Sequence, residues 1–415
     1  MQEFFLSDQA RYPTTFSPTF ILPLLVVIGA FNVVLRVPDT SVSGFYVSAP
    51  FVISWIWSTS AEARARAIGV GLIIGYGWVV GLTYGTPLRD MASQTVFYFL
   101  ALTMVELLLS WKRNSASFEQ DAERLMDVLA AAALLIFVLQ MLFDFDVPGT
   151  WGYRQYGYGT AYFYTPNDLA LFLSAYLILV LFGEKPLASK VVIAFSVLLI
   201  NVVNDARAAL LVCVIAPFTA MAMPFLVRRF AYPVLVFVAG GVFLAGAGLA
   251  GAVFFSIDDA ESALEAFGRV TNLDPFLLPG SVFNRTDALI FNLIEMGKSW
   301  WLGMGPGGTV HVLTMPQYDA MTAQSLHNAI AELVFDLGPA FYIPFAAVFA
   351  LMLTRYLLAE RLEPAELGRF TFLLCLPLLS IIQSSGYISN YAFWAAAVLT
   401  FVRTGRKETM PSELS

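Results

Sequence analysis

Residues 327–354 read HNAIAELVFDLGPAFYIPFAAVFALMLT, a histidine and an asparagine followed by a long apolar run. A helix rises about 1.5 Å per residue, so about 20 apolar residues cross roughly 30 Å of hydrocarbon. The run therefore predicts a membrane-crossing helix over approximately 328–354. Working outward from it, apolar blocks of similar length recur along the chain. They predict twelve helices in all, at approximately 19–36, 44–60, 67–85, 93–111, 125–143, 167–183, 190–204, 206–227, 232–256, 328–354, 370–386 and 388–403. Composition agrees: 58% of the 415 residues are hydrophobic, 13% are charged and the mean hydropathy is +0.72, where a soluble domain carries about a quarter charged residues. The expected fold is an all-α polytopic membrane protein. It has helices one to nine within 1–256, a large polar loop at 257–326, helices ten to twelve within 327–403, and a tail at 404–415.

The first apolar stretch, from Phe20 to Leu35, has no basic start and no small-residue cleavage site, and it reads as a retained helix. Cys213 and Cys375 both fall inside apolar runs, which fits small core residues better than a disulfide or a metal pair. No internal repeat of the kind found in many secondary transporters is visible.

Basic residues orient the expected bundle. With both termini cytoplasmic, sixteen of the 23 Lys and Arg fall on the inner side. Seven remain outside: Arg36, Arg89, Arg154, Arg207, Arg269, Arg285 and Lys298. Two outer loops are then long, about 143–166 and 257–326, and loops beyond about fifteen residues in a compact protein are usually functional. Within the second, Ser281 to Trp301 reads as a helix lying near the interface.

The outer side is where unusual residues collect. Arg207, in Asn204-Asp205-Ala206-Arg207, stands at the mouth of the expected eighth helix. It reads either as a boundary arginine offset by Asp205 or as a functional cation on a face poor in both Lys and Arg. Arg285 opens the loop helix, where it could pair with Asp287 or hold an anion beside free backbone N–H groups. Residues 303–308, GMGPGG, lack the Lys-Ser/Thr of a nucleotide P-loop and read as a tight turn that returns the loop to the bundle. His327 is one of two histidines, the other being His311 in the loop. It is either an interfacial cap or a proton acceptor suited to neutral pH. Asp336, nine residues on, faces roughly the opposite half of the helix and needs a partner at that depth. The shorter loop is dense in aromatics, with Trp151, Tyr153, Tyr156, Tyr158, Tyr162, Phe163 and Tyr164. An aromatic belt explains them, and so does stacking on sugar rings.

Taken together these elements resemble the O-antigen ligase and polymerase family of bacterial envelope glycosyltransferases. The resemblance is carried, between about 150 and 340, by Arg154 with Pro166-Asn167, by Ala206-Arg207-Ala208, by Arg285 followed by Trp301-Leu302-Gly303-Met304-Gly305-Pro306-Gly307, and by His327-Asn328 with Asp336-Leu337-Gly338. Two departures stand out: Asp205-Ala206-Arg207 replaces the family's usual Ser-Arg-Gly, and Asp336 stands where a glutamate is usual.

The resemblance implies a metal-independent, inverting transferase that moves a glycan from undecaprenyl pyrophosphate to an acceptor hydroxyl. It would work on the periplasmic face of the bacterial inner membrane. In that scheme Arg207 and Arg285 grip the pyrophosphate and His327 activates the acceptor. Arg154, Asn167, Tyr158, Tyr164, Asn328 and Asp336 contribute to substrate binding. Arginine suits this role because its planar fork engages phosphate oxygens bidentately. No cofactor and no nucleic acid is implied; the partners are the lipid-linked donor, a glycan or lipid-linked acceptor, and membrane lipid. A polymerase is favoured over a ligase delivering glycan to lipid A–core. A lipid-linked glycan transporter is the alternative from another class, and it would place ionisable residues at mid-membrane depth, where only Glu106, Glu332 and Asp336 are candidates.

Overall fold

The computed structural model describes residues 60–147, 157–163, 165–226, 280–316, 326, 328–359, 362–382 and 390–403. All regular secondary structure among them is helical. The helices are α1 (Ala61–Tyr84), α2 (Leu88–Asn114), α3 (Phe118–Phe143), α4 (Pro166–Leu181), α5 (Leu187–Val203), α6 (Arg207–Leu226), α7 (Gly280–Lys298), α8 (Gly308–Leu313), α9 (Ala329–Leu337), α10 (Pro339–Leu357), α11 (Pro364–Ile382) and α12 (Tyr391–Val402).

Eight of the twelve expected helices each have one counterpart among the described residues. The expected helices at 19–36 and 232–256, and that at 44–60 but for its last residue, lie outside the described residues. The polar loop supplies α7 and α8, and the expected helix at 328–354 is two helices. The break falls at Gly338, whose φ of 54° and ψ of −141° belong to a region open essentially to glycine. Pro339 then starts α10 at a position where its missing N–H costs nothing. Among the described residues five helices are long and apolar enough to cross a membrane: Ala61–Tyr84, Leu88–Arg113, Phe118–Phe143, Pro339–Tyr356 and Pro364–Ile382.

Local sequence explains the boundaries. Ser60 Oγ accepts from Ala63 N to start α1, and Gly85, at φ 92°, ends it. Thr165 and Asp168 form a reciprocal capping box ahead of α4, with Pro166 at its first position. Asn390 caps α12 by accepting from Phe393 N and donates to the carbonyl of Asp168, tying the two helix starts together.

Helix α4 is the axis of the bundle. Every residue from Leu169 to Val180 is buried, and α5, α6, α11 and α12 pack around it. Its 16 residues span about 24 Å, short for a lipid-facing crossing but sufficient for a helix wrapped in protein. The outer helices show the reverse pattern. Leu72, Val79 and Leu82 on α1, Leu135 and Leu142 on α3, Val192 and Phe195 on α5, and Leu351 on α10 are all exposed. A water-soluble bundle rarely presents so continuous an apolar girdle, whereas a lipid-facing one must.

Charged side chains gather at one end. Arg66 pairs with Glu106 through Nε and Nη2, Arg403 with Glu123 at 2.6 Å, and Lys185 with Asp127. Lys112 and Arg369 cap the last carbonyls of α12, at Val402 and Arg403. The helices run alternately, so the caps at Gly85, Thr165 and Asn390 mark the opposite end.

Candidate functional site

Arg207 stands at that opposite end, on a built pedestal. After α5 the chain turns through Asp205, at φ 48°, with Ala206 N donating to Asn201 O at 2.9 Å and Asp205 N to Val202 O at 3.2 Å. Asn204 is buried and exchanges two 2.9 Å hydrogen bonds with the backbone of Gly159, one in each direction. The α5–α6 corner and the incoming loop are thus fixed to each other. Asp205 then takes Arg207 Nε and Nη2, both at 3.2 Å. The guanidinium side chain is 60% exposed and, as an arginine, carries a full charge. A guanidinium has five N–H groups, and this pair uses one on each of two nitrogens.

The aromatic loop divides in two. Tyr162 and Phe163 are not available to a sugar: both are buried, stacked on each other at 4.6 Å and continued by Phe172 of α4 at 5.4 Å. Ala161 N donates to Gln140 Oε1 and Tyr162 Oη to Leu129 O, which holds the segment against α3. Tyr158 stays half-buried at the rim. Asn167, in the first turn of α4, is also half-buried. Arg154 and Tyr164 lie outside the described residues.

The second part of the site is the return from the polar loop. Helices α7, α8 and α9 share a small core of their own, with Ala288, Phe291, Met296, Met304, Val312 and Phe335. The glycine turn passes from it to the bundle. Gly305 lies so close to α1 that a Cβ on it would meet Gly81 Cα at 2.3 Å. Thr86 Oγ1 caps Met304 O, and Tyr84 Oη donates to the buried Glu295 of α7 at 2.6 Å. The reading of residues 303–308 as a turn against the bundle agrees with this geometry.

Asp336 is completely buried, and its carboxylate organises that turn. Oδ2 accepts from Gly307 N at 2.8 Å and from Tyr98 Oη at 2.9 Å, while Oδ1 accepts from Thr309 N at 2.9 Å. Both oxygens are engaged by the protein itself. A substrate-binding role for Asp336 is therefore indirect, through the position of the glycine turn. Asn328 is also engaged internally, since its Oδ1 caps α9 at Ala331 N and lies 3.4 Å from Ser380 Oγ of α11.

His327 lies outside the described residues. Arg285 belongs to α7, in its second turn. The structure thus sets Arg207 beside the Asn204–Gly159 latch, one residue along the chain from Tyr158, and Asp336 with the glycine turn. Among the described residues no group of three or more His, Cys, Asp or Glu is placed to hold a metal. Tyr98, Gln140 and Asn204 were not singled out by sequence. Gln140 and Asn204 carried a signal, as polar residues at the ends of apolar runs; Tyr98 carried none. In comparisons with known proteins, no family model and no curated protein matches the chain.

Proposed function

We propose that the chain is an inverting glycosyltransferase of the bacterial inner membrane, transferring a glycan from undecaprenyl pyrophosphate to an acceptor hydroxyl on the periplasmic side. The acceptor oxygen attacks the anomeric carbon, the bond from that carbon to the pyrophosphate breaks, and undecaprenyl pyrophosphate leaves. Arg207 and Arg285 hold the departing phosphates, and His327 takes the acceptor's proton. The observation that carries this reading is Arg207: a charged, exposed guanidinium on a rigid pedestal, at the end of the bundle away from the main cluster of basic side chains. That distribution matches an inner side rich in Lys and Arg and an outer site reserved for an anion.

Two of the three carboxylates that a transporter could use at depth are held by the protein itself, and the third, Glu332, is buried in the first turn of α9. Glu106 is neutralised by a two-point contact with Arg66, and Asp336 is committed to the glycine turn. A polymerase joining repeat units is the form we favour, as the commoner activity of the resembled family; a ligase differs only in its acceptor.

Purified protein in nanodiscs, supplied with lipid-linked glycan and no nucleotide, tests the proposal. The wild type lengthens or transfers the glycan, His327→Ala abolishes transfer, and Arg207→Lys or Arg285→Lys reduces it at least tenfold. Near-normal product from His327→Ala sinks the base role. Full activity in both lysine variants sinks the clamp.

A further inference from the structure

The turn joining α7 to α8 sits deeper than a surface loop. Leu302 O accepts from Tyr76 Oη at 2.9 Å, and a Cβ on Gly77 would touch Pro306 at 3.2 Å. Tyr76 is eight residues before the end of α1, so this contact lies about 12 Å below that helix end. Tyr98, which meets Asp336 beneath the same turn, lies ten residues into α2, about 15 Å down.

The turn's polar groups are satisfied in the way a dry setting demands. From Met304 to Thr309 every N–H donates within the protein: Met304 to Phe335 O, Gly305 to Asp336 O, Gly307 and Thr309 to the Asp336 carboxylate, and Gly308 to Gly305 O. Pro306 has no N–H to satisfy. Irregular backbone at membrane depth is tolerated only under such complete internal pairing.

The outward side of the turn is apolar. Trp300 is 85% exposed, the most exposed large hydrophobic side chain among the described residues, and Leu302 is 49% exposed. Trp300 and Trp301 both hold left-handed backbone, at φ 56° and 61°, a conformation that disfavours bulky residues and that glycine would adopt freely. Trp301 packs inward against the α7–α9 core while Trp300 points out. On α1, Val79 and Leu82, five and two residues before the helix end, are exposed as well.

We infer that this segment is a re-entrant element whose exposed Trp300 and Leu302 lie in the hydrocarbon of the outer leaflet, so that membrane lipid is their partner. The inference rests on the membrane-spanning reading above. It makes the α7–α8 return part of the membrane domain, anchored from the lipid side by Trp300 and from the protein side by Asp336.

The test uses the full chain in lipid nanodiscs with Cys213 and Cys375 replaced by Ala. Trp300→Cys, Leu72→Cys on the exposed face of α1, and Thr314→Cys at the exposed end of α8 are each spin-labelled, and collisions with oxygen and with a water-soluble nickel chelate are compared. At 300 and 72, oxygen access should exceed nickel access several-fold, and at 314 the order should reverse. Aqueous behaviour at 300 with lipid behaviour at 72 overturns the inference alone. Low access to both probes at 300 means a protein or glycan cover and overturns it as well. Aqueous behaviour at 72 overturns the membrane reading itself. If Trp300→Cys does not fold, Trp300→Phe supplies the readout. Brominated lipids should quench the wild type more than this variant, and equal quenching refutes the inference.

Discussion

Replacing Gly305 by alanine tests the closest backbone contact in the glycine turn. The added Cβ would stand 2.3 Å from Gly81 Cα and 3.1 Å from Gly77 O, both backbone atoms of α1 that no side-chain rotation can move away. The residue also holds φ 87°. The left-handed backbone costs an alanine about 1–2 kcal/mol, and separating the turn from α1 adds about 1–3 kcal/mol, as overpacking does elsewhere. Two other glycines divide these contributions. Gly85 holds φ 92° with nothing within 4 Å, so Gly85→Ala carries the backbone cost alone. Gly75, inside α1 with equally open surroundings, carries neither, and Gly75→Ala should be neutral or favourable by up to about 1 kcal/mol. The assay is the apparent melting temperature of each purified variant in the same nanodisc lipid. The expected order is Gly75→Ala at or above wild type, Gly85→Ala below it, and Gly305→Ala lowest, with at least twice the loss of Gly85→Ala. Equal losses for Gly85→Ala and Gly305→Ala would refute the contact between the glycine turn and α1.

Three more outcomes follow from the same geometry. Asp336→Asn leaves one oxygen for three donors and turns an NH2 toward an N–H; by the cost of buried unsatisfied groups it should lose about 2–4 kcal/mol. Tyr98→Phe removes only one of the three donors and should lose about 1 kcal/mol, so chemical denaturation that ranks it level with Asp336→Asn contradicts the clasp. Asn204→Ala strips both partners from the buried backbone of Gly159, and limited proteolysis should then cut near 157–160 at least tenfold faster than in wild type; an unchanged cleavage rate argues against the latch. Asn390→Ala removes a helix cap and the tie to Asp168 at once, for about 1–3 kcal/mol, while Ser117→Ala, which makes no cap bond and loses only exposed contacts with Ser115 and Asp121, should change melting by less than half of that.

Most helices were legible because apolar blocks of membrane length leave few alternatives. The expected helix at 125–143 appears within Phe118–Phe143, and 206–227 within one residue as Arg207–Leu226. The helix at 328–354 is expected too long because apolar residues predominate on both sides of the Gly338-Pro339 pair. What breaks it is a steric fact: the carbonyl of Leu302 would lie 2.1 Å from any Cβ at 338, a contact from a segment 36 positions away in the sequence. Tyr162 and Phe163 were equally opaque. An aromatic side chain suits a sugar, a headgroup or a core, and the stack onto Phe172 with the hydrogen bonds from Ala161 N and Tyr162 Oη to α3 decides for the core. Arg207 and Asp205 were visible as a pair, but not the role of Asn204, whose two bonds run to a glycine 45 residues earlier.

Asp336 shows why a buried charge near a site need not be catalytic. A carboxylate placed at that depth is costly unless every lone pair has a use. Here three donors from two other segments converge on it, and an amide in its place would leave them a single oxygen. In the proposed function the group that meets substrate must instead keep valences facing outward, and Arg207 has that geometry: one edge is fixed by Asp205, and its side chain is 60% exposed. The two residues divide the labour that one polar cluster cannot perform alone. Asp336 spends its hydrogen bonds on shape, and the shape brings the α7 segment carrying Arg285 back against α1 through Tyr84 and Glu295.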